Sequence, residues 1–241
     1  LGFVPRKNIR NFYGGIGIGP RPKNSPLMQV KSGARYILFT DLKNGGVETS
    51  VIDLHLCDLI FLSGDDISLS SQFQFESLEE DFHILQDYVI PAGEYNFWRH
   101  TLSLTSAKRR DLWVATKIGL GSFYSGKRQD LLIQAGYKVF VPVYIGMESD
   151  RKWVTLPDGS FITQIYRFNL NFLFSPNLSW YNYAQYENQT EIVGLQSRFQ
   201  WIIKPGKEIY LTFNSPLIDP LERFQPQAYE ARLKVNYTIR F

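Results

Sequence analysis

The chain is short of the residues that usually staple or catalyse. A single cysteine, Cys57, excludes an internal disulfide framework. It reads as a small apolar side chain, buried or facing lipid. The three histidines, His55, His83 and His100, stand far apart and none has a metal-ligand spacing such as His-x-x-x-His. Charge of one sign is also lacking: 26 basic residues against 23 acidic ones leave a net charge of +3. No Lys/Arg cluster stands out, so nothing argues for a nucleic-acid partner. No run of 18 apolar residues occurs, which rules out helical membrane spans. Nor does any stretch keep a helical period.

What is present is aromatic and alternating. The 14 tyrosines and 18 phenylalanines lie among short polar–apolar repeats. The clearest repeat is at the end. Tyr229, Ala231, Leu233, Val235, Tyr237, Ile239 and Phe241 fall on one side. Glu230, Arg232, Lys234, Asn236, Thr238 and Arg240 fall on the other. Soluble strands usually run to about 5–6 residues. A strand as long as Tyr229–Phe241 spans roughly 43 Å, or about 33 Å when tilted by ~40°. That crosses the ~25 Å apolar band of an outer membrane with an aromatic residue near each interface. An aromatic last strand closing on Phe241 resembles the assembly signal of bacterial outer-membrane barrels.

The same reading yields thirteen strands: Asn8–Ile18, Met28–Thr40, Val47–Phe61, Ile67–Ser77, Glu94–Ser106, Asp111–Tyr124, Gln129–Val139, Val143–Leu156, Phe161–Phe174, Leu178–Gln185, Glu191–Ile203, Glu208–Asn214 and Ala228–Phe241. If Phe241 lies in the periplasm, alternate connections lie there too. Those centre on Lys204–Lys207, Ser175–Asn177, Phe140–Pro142, Ala107–Arg110, Gly64–Asp66 and Gly19–Pro26. Most are short, and several carry Pro or Gly, as tight turns do. The opposite set holds the two longest connections, Leu78–Gly93 and Ser215–Gln227, beside short ones at Asp158-Gly159, Ser125–Arg128 and Asn44-Gly45-Gly46, an asymmetry that fits an outer-membrane barrel. Bacterial single-chain barrels have even strand numbers, so either one strand is misread or further strands precede these. The chain begins without an initiator Met or a signal peptide, and export needs such a leader. The expectation is therefore the C-terminal part of a larger barrel.

Several phrases match a known family: Gly2-Phe3-Val4-Pro5-Arg6 with Asn8-Ile9-Arg10, Phe174–Ser179, Ala184-Gln185-Tyr186, Arg198–Ile202 and Lys204-Pro205-Gly206. Together they resemble the C-terminal barrel of domain-of-unknown-function family 5916, found mainly in Bacteroidota-type bacteria. The resemblance is clearest over Trp98–Asn214. It implies a Gram-negative outer-membrane barrel behind a carbohydrate-binding domain of the family 9 type, which this chain lacks. Full-length relatives are sometimes labelled membrane-associated hydrolases. The shared motifs are turn and strand signatures, so the resemblance carries no catalytic residue.

Motifs for chemistry fail on spacing. Gly15-Ile16-Gly17-Ile18-Gly19 is followed by Pro20-Arg21-Pro22 rather than by the helix a dinucleotide loop needs. Its glycines suit a strand that a neighbouring backbone approaches closely. Gly121–Gly126 does not keep the Gly-x-Ser-x-Gly spacing. Glu76, Glu79, Glu80, Asp81, His83 and Asp87 read as a solvated acidic loop, with Ca²⁺ binding the sharper alternative. Arg167, Arg198, Glu230, Arg232, Lys234 and Arg240 are expected on the lumen side, as an ion-pair network or a surface selective for a solute.

The sequence thus sets these expectations. Residues 1–241 form one antiparallel transmembrane β-barrel region of the outer-membrane type, with its C-terminus in the periplasm. Its partners are the lipid bilayer, the insertion machinery and, through the domain implied by the resemblance, a glycan. The chain acts as membrane platform or conduit, or else anchors a glycan-acting hydrolase whose active site lies elsewhere. No cofactor, metal or catalytic group is expected in it. A soluble sandwich or lipocalin-like binder is a distant third. Deleting Phe241 is expected to lower the yield of heat-modifiable barrel in outer-membrane fractions, and a normal yield would remove its role in assembly.

Overall fold

The computed structural model describes residues 8–85, 88–218, 225–226 and 229–238. The expectations on Gly2–Arg6, Asp87, Ala228, Ile239, Arg240 and Phe241 lie outside these residues. The described residues contain no helix. The strands are β1 (Ile9–Ile18), β2 (Leu27–Asp41), β3 (Val47–Phe61), β4 (Asp66–Leu78), β5 (Phe82–Leu85), β6 (Tyr88–Ile90), β7 (Gly93–Thr105) and β8 (Leu112–Phe123). They continue with β9 (Gly126–Phe140), β10 (Val143–Leu156), β11 (Gly159–Ser175), β12 (Leu178–Glu187), β13 (Ile192–Lys204), β14 (Lys207–Ile218), β15 (Gln225–Pro226) and β16 (Glu230–Tyr237). All but β5 and β6 belong to one antiparallel sheet. Its hydrogen-bonded order follows the chain, with β4 next to β7 and with β16 paired to β14. The thirteen expected strands are all present, with ends shifted by a few residues. The chain divides into two compact units, Leu1–Ser106 with Lys117–Asp130 and Lys152–Ile162, and Ala107–Thr116 with Leu131–Arg151 and Thr163–Phe241.

Within each unit, strand register turns the sequence alternation into rows. In the first unit Gly14, Tyr36, Ile52, Phe73 and Trp98 oppose one another across β1, β2, β3, β4 and β7. One residue along each strand lie Gly15, Arg35, Asp53, Gln72 and Arg99. Successive side chains point to opposite faces, so an apolar row backs directly onto a charged one. The second unit repeats this. Phe172, Trp180, Phe199, Leu211 and Leu233 form one row across β11 to β14 and β16, backed by Asn171, Tyr181, Arg198, Thr212 and Arg232. Rings meet within the apolar rows, Phe73 tilted against Trp98 at 5.0 Å and Phe172 stacked on Trp180 at 5.2 Å between centroids. Cys57 is half-buried and opposes Leu69. The glycines of β1 do admit a close neighbour: a Cβ on Gly33, opposite Gly17, would lie 2.7 Å from the Ile16 carbonyl oxygen.

Two-residue connections occur at Pro205–Gly206, Pro176–Asn177 and Val141–Pro142, and in the opposite set at Tyr124–Ser125 and Pro157–Asp158, where short connections are also expected. The longest described connection, between β4 and β7, differs most from expectation. Its acidic residues Glu79, Glu80 and Asp81 are exposed, as expected, but the segment is not a plain loop: β5 and β6 pair within it, Phe82 opposite Ile90 and His83 opposite Val89.

Apolar side chains hold this hairpin down. Ile90, only 1% exposed, packs with buried Val154 and Leu156, and Leu78, Ile84, Tyr88, Tyr95, Phe123, Tyr124 and Phe161 surround them. The Tyr88 hydroxyl donates to the Ser160 carbonyl at 2.9 Å and its ring lies 4.7 Å from that of Phe161. The Tyr95 hydroxyl donates to the Pro91 carbonyl at 2.7 Å, and the Ala92 N–H donates to the Asp81 carboxylate at 2.8 Å. Glu79 and Glu80 stay exposed. Tyr95 and Phe97 alternate with Arg99, so the socket belongs to the charged face, which turns apolar where the hairpin sits. Ile90→Ala is expected to cost the docked hairpin about 2–5 kcal/mol. Amide exchange of Tyr88–Ile90 should quicken while β3 and β4 stay protected, and unchanged exchange would show that the hairpin does not depend on this socket.

Candidate functional site: charged rows on the polar face

The first-unit row is bonded side chain to side chain. Arg35 donates to one Asp53 oxygen from Nη2 at 2.6 Å and from Nε at 3.1 Å, while Gln72 Nε2 donates to the other at 2.6 Å. Arg99 continues the row opposite Gln72, and its Nη2 donates to Asp130 on β9. To reach β9 it crosses β8 over Gly119. A Cβ there would lie 3.0 Å from Arg99 Nη2 and 3.2 Å from Asp130 Oδ2. Arg128 adds a fork to the same carboxylate, Nε to Oδ1 at 2.7 Å and Nη2 to Oδ2 at 3.1 Å. Its guanidinium lies 5.3 Å above the Phe123 ring.

In the second unit Glu148 accepts from Arg167 Nη1 and, at 2.6 Å, from Gln134 Nε2. Arg167 Nε and the Tyr183 hydroxyl both donate to Gln185 Oε1, at 2.9 and 2.5 Å. Arg198 stacks 5.1 Å above Tyr181. Arg232 Nε donates to Glu230 at 2.7 Å.

The expected lumen residues therefore meet only in part. Glu230 and Arg232 pair with each other. Arg167 pairs with Glu148, and Arg198 is held by an aromatic ring. Arg198 and Arg232 share a row but have Thr212 between them, and Lys234 opposes Tyr210. The expected assembly residues Tyr229, Leu233, Val235 and Tyr237 are all exposed, Leu233 at 68%.

Sequence reasoning misses Arg35, Asp53, Arg99, Arg128, Asp130 and Glu148. Two of them carry a usable sign: Arg35-Tyr36 and Trp98-Arg99 each set a cation next to an aromatic residue at mid-strand, one for each face.

Groupings of enzymatic type are sparse. His55 Nδ1 lies 3.5 Å from Asp58 Oδ2, beside a cavity of about 670 Å³ that Tyr13, Lys31 and Arg35 also line. The Ser32 hydroxyl at that cavity donates to the His55 backbone carbonyl at 3.0 Å rather than to the imidazole, so it is not set up as a nucleophile. Among the described residues no three His, Cys, Asp or Glu side chains converge as metal ligands would.

Gly119→Val is expected to separate Arg99 from Asp130 and to destabilise the protein by about 1–3 kcal/mol. Gly14→Val, where a Cβ meets nothing within 4 Å, should change little. Equal melting shifts in detergent would show that Gly119 does not serve this crossing.

Compared with known proteins, the chain matches no protein-family model and no curated sequence.

Proposed function

We propose that the chain is the wall of a transmembrane β-barrel of the outer-membrane type. Its apolar rows face lipid, its charged rows line a lumen, and the docked hairpin narrows one end. One observation carries this reading. The side chains that a soluble fold would bury are the exposed ones here, among them Tyr36, Trp98, Trp180, Trp201, Leu211, Leu233 and Val235. The buried apolar set among the described residues is only Ile90, Phe97, Ala107, Val154 and Leu156. Contiguous apolar patches on soluble monomers rarely exceed a few hundred Å². Rows of aromatic and aliphatic side chains repeated from strand to strand suit hydrocarbon as their solvent.

The opposite face favours a conduit over a solid anchor. Its cations are hydrogen-bonded yet reach into solvent, with Arg35 53% exposed above an Asp53 that is 14% exposed. Side chains packed against one another to fill an anchor would be covered on both partners. The glycan link implied by the family resemblance enters as the choice of solute: neutral oligosaccharides are the first to test in a liposome-swelling assay.

The faces should differ in tolerance. An Arg near the bilayer midplane on the lipid side costs about 2–4 kcal/mol. Val235→Arg is therefore expected to impair refolding into lipid vesicles, while Asn236→Arg on the polar face refolds like the parent. Equal midpoints in a denaturant titration would overturn the assignment of faces, and a parent protein that never enters vesicles would overturn the membrane reading itself.

A further inference from the structure

We infer that the Arg99–Arg128–Asp130 cluster is a binding subsite for a small oxyanion, a carboxylate or a phosphate. Two guanidinium groups share one carboxylate, so the cluster holds one uncompensated positive charge. Asp130 is saturated: Oδ1 takes Arg128 Nε, and Oδ2 takes Arg128 Nη2 and Arg99 Nη2. The next residue in the row brings no second anion, since Gln72 is neutral and its amide nitrogen is committed to Asp53. Arg99 Nη1 is buried and has no hydrogen-bond partner. An unmade bond from a buried, charged donor is costly, and an anion bound beside it removes that cost.

The surroundings favour binding over a filled core. The side chains of Arg99 and Arg128 are 15% and 25% exposed, so the pair is half-desolvated and still reachable from the polar face. The β8 position between them is Gly119, which has no side chain to cover the cluster. A planar fork suits two oxygens of a carboxylate or phosphate, and in a partly dry site each such bond is stronger than in water. In the second unit too a base stands outside its acid, as Arg128 does over Asp130: Arg167 is 30% exposed over a Glu148 that is 20% exposed, and Arg232 is the more exposed partner of Glu230. Arginines presented this way make a surface that prefers anions.

In the proposed barrel this subsite would face the lumen and select anionic solutes, a step that rests on the membrane reading. Binding itself can be read without it. Folded protein in a zwitterionic detergent, in chloride-free buffer, is titrated with inorganic phosphate by calorimetry. Saturable binding is expected, weakened at least tenfold in Arg128→Gln, which keeps the Arg99–Asp130 pair and so the fold. Arg232→Gln in the other unit should bind like the parent. Competition by phosphatidylglycerol in mixed micelles would assign the same contacts to a lipid headgroup, and its absence to a free anion. No phosphate binding by folded parent protein, or equal binding by Arg128→Gln, overturns the subsite whatever vesicle insertion shows.

Discussion

Every feature of this protein depends on strand register. Tyr36, Ile52, Phe73 and Trp98 are one residue away from Arg35, Asp53, Gln72 and Arg99, strand by strand. A slip of one residue in any strand would carry a charge from its bonded partner onto the apolar face and an aromatic ring into the charged row. In the proposed barrel an Arg turned to the lipid side would cost about 2–4 kcal/mol at the bilayer midplane, and several strands would incur that cost together. Such a sheet would carry strong selection for one register even though it buries few apolar side chains. The ring contacts of Phe73 with Trp98 and of Phe172 with Trp180 reinforce it locally.

That constraint also explains what could be read from the amino-acid order. Alternation is local, so Val193–Trp201 or Leu233–Tyr237 reveals a strand and its two faces without knowledge of any neighbour. Pairing is not local. Arg99 and Asp130 are partners because β8 interposes Gly119, and nothing within either strand announces it. Irregularities hide more: between His55 and Cys57 the β3–β4 register shifts, so counting along β3 assigns the wrong partner beyond that point. The hairpin escapes a reading of the sequence for another reason. Phe82–Leu85 and Tyr88–Ile90 are too short to show a period, and Glu79, Glu80 and Asp81 dominate their neighbourhood. The sign of a docked segment is the apolar set Ile84, Tyr88 and Ile90, which a solvated acidic loop has no use for.

The hairpin and the charged rows make opposite demands on the same face. A surface of bonded Arg, Asp and Gln needs water or further polar groups above it, whereas Ile90 needs a dry socket. The face meets both by changing chemistry along its strands. Tyr95 and Phe97 stand where β7 meets the hairpin, and Arg99 follows two residues on. Phe123 serves both regions, packing against the Ile90 cluster and lying under the Arg128 guanidinium. Any displacement of the hairpin would therefore be felt at Arg128 through one shared ring.

The order of charges above that ring follows from desolvation. A carboxylate set low in a row can be satisfied by several donors at once, as Asp53 is by Arg35 and Gln72 and Asp130 is by two guanidiniums. A guanidinium has a long apolar stem and can rise past the carboxylate to keep part of its head in water. Burying the acid and exposing the base thus satisfies both partners better than the reverse arrangement. Where Arg99 departs from this order, slightly deeper than its acid, Arg128 takes the outer place.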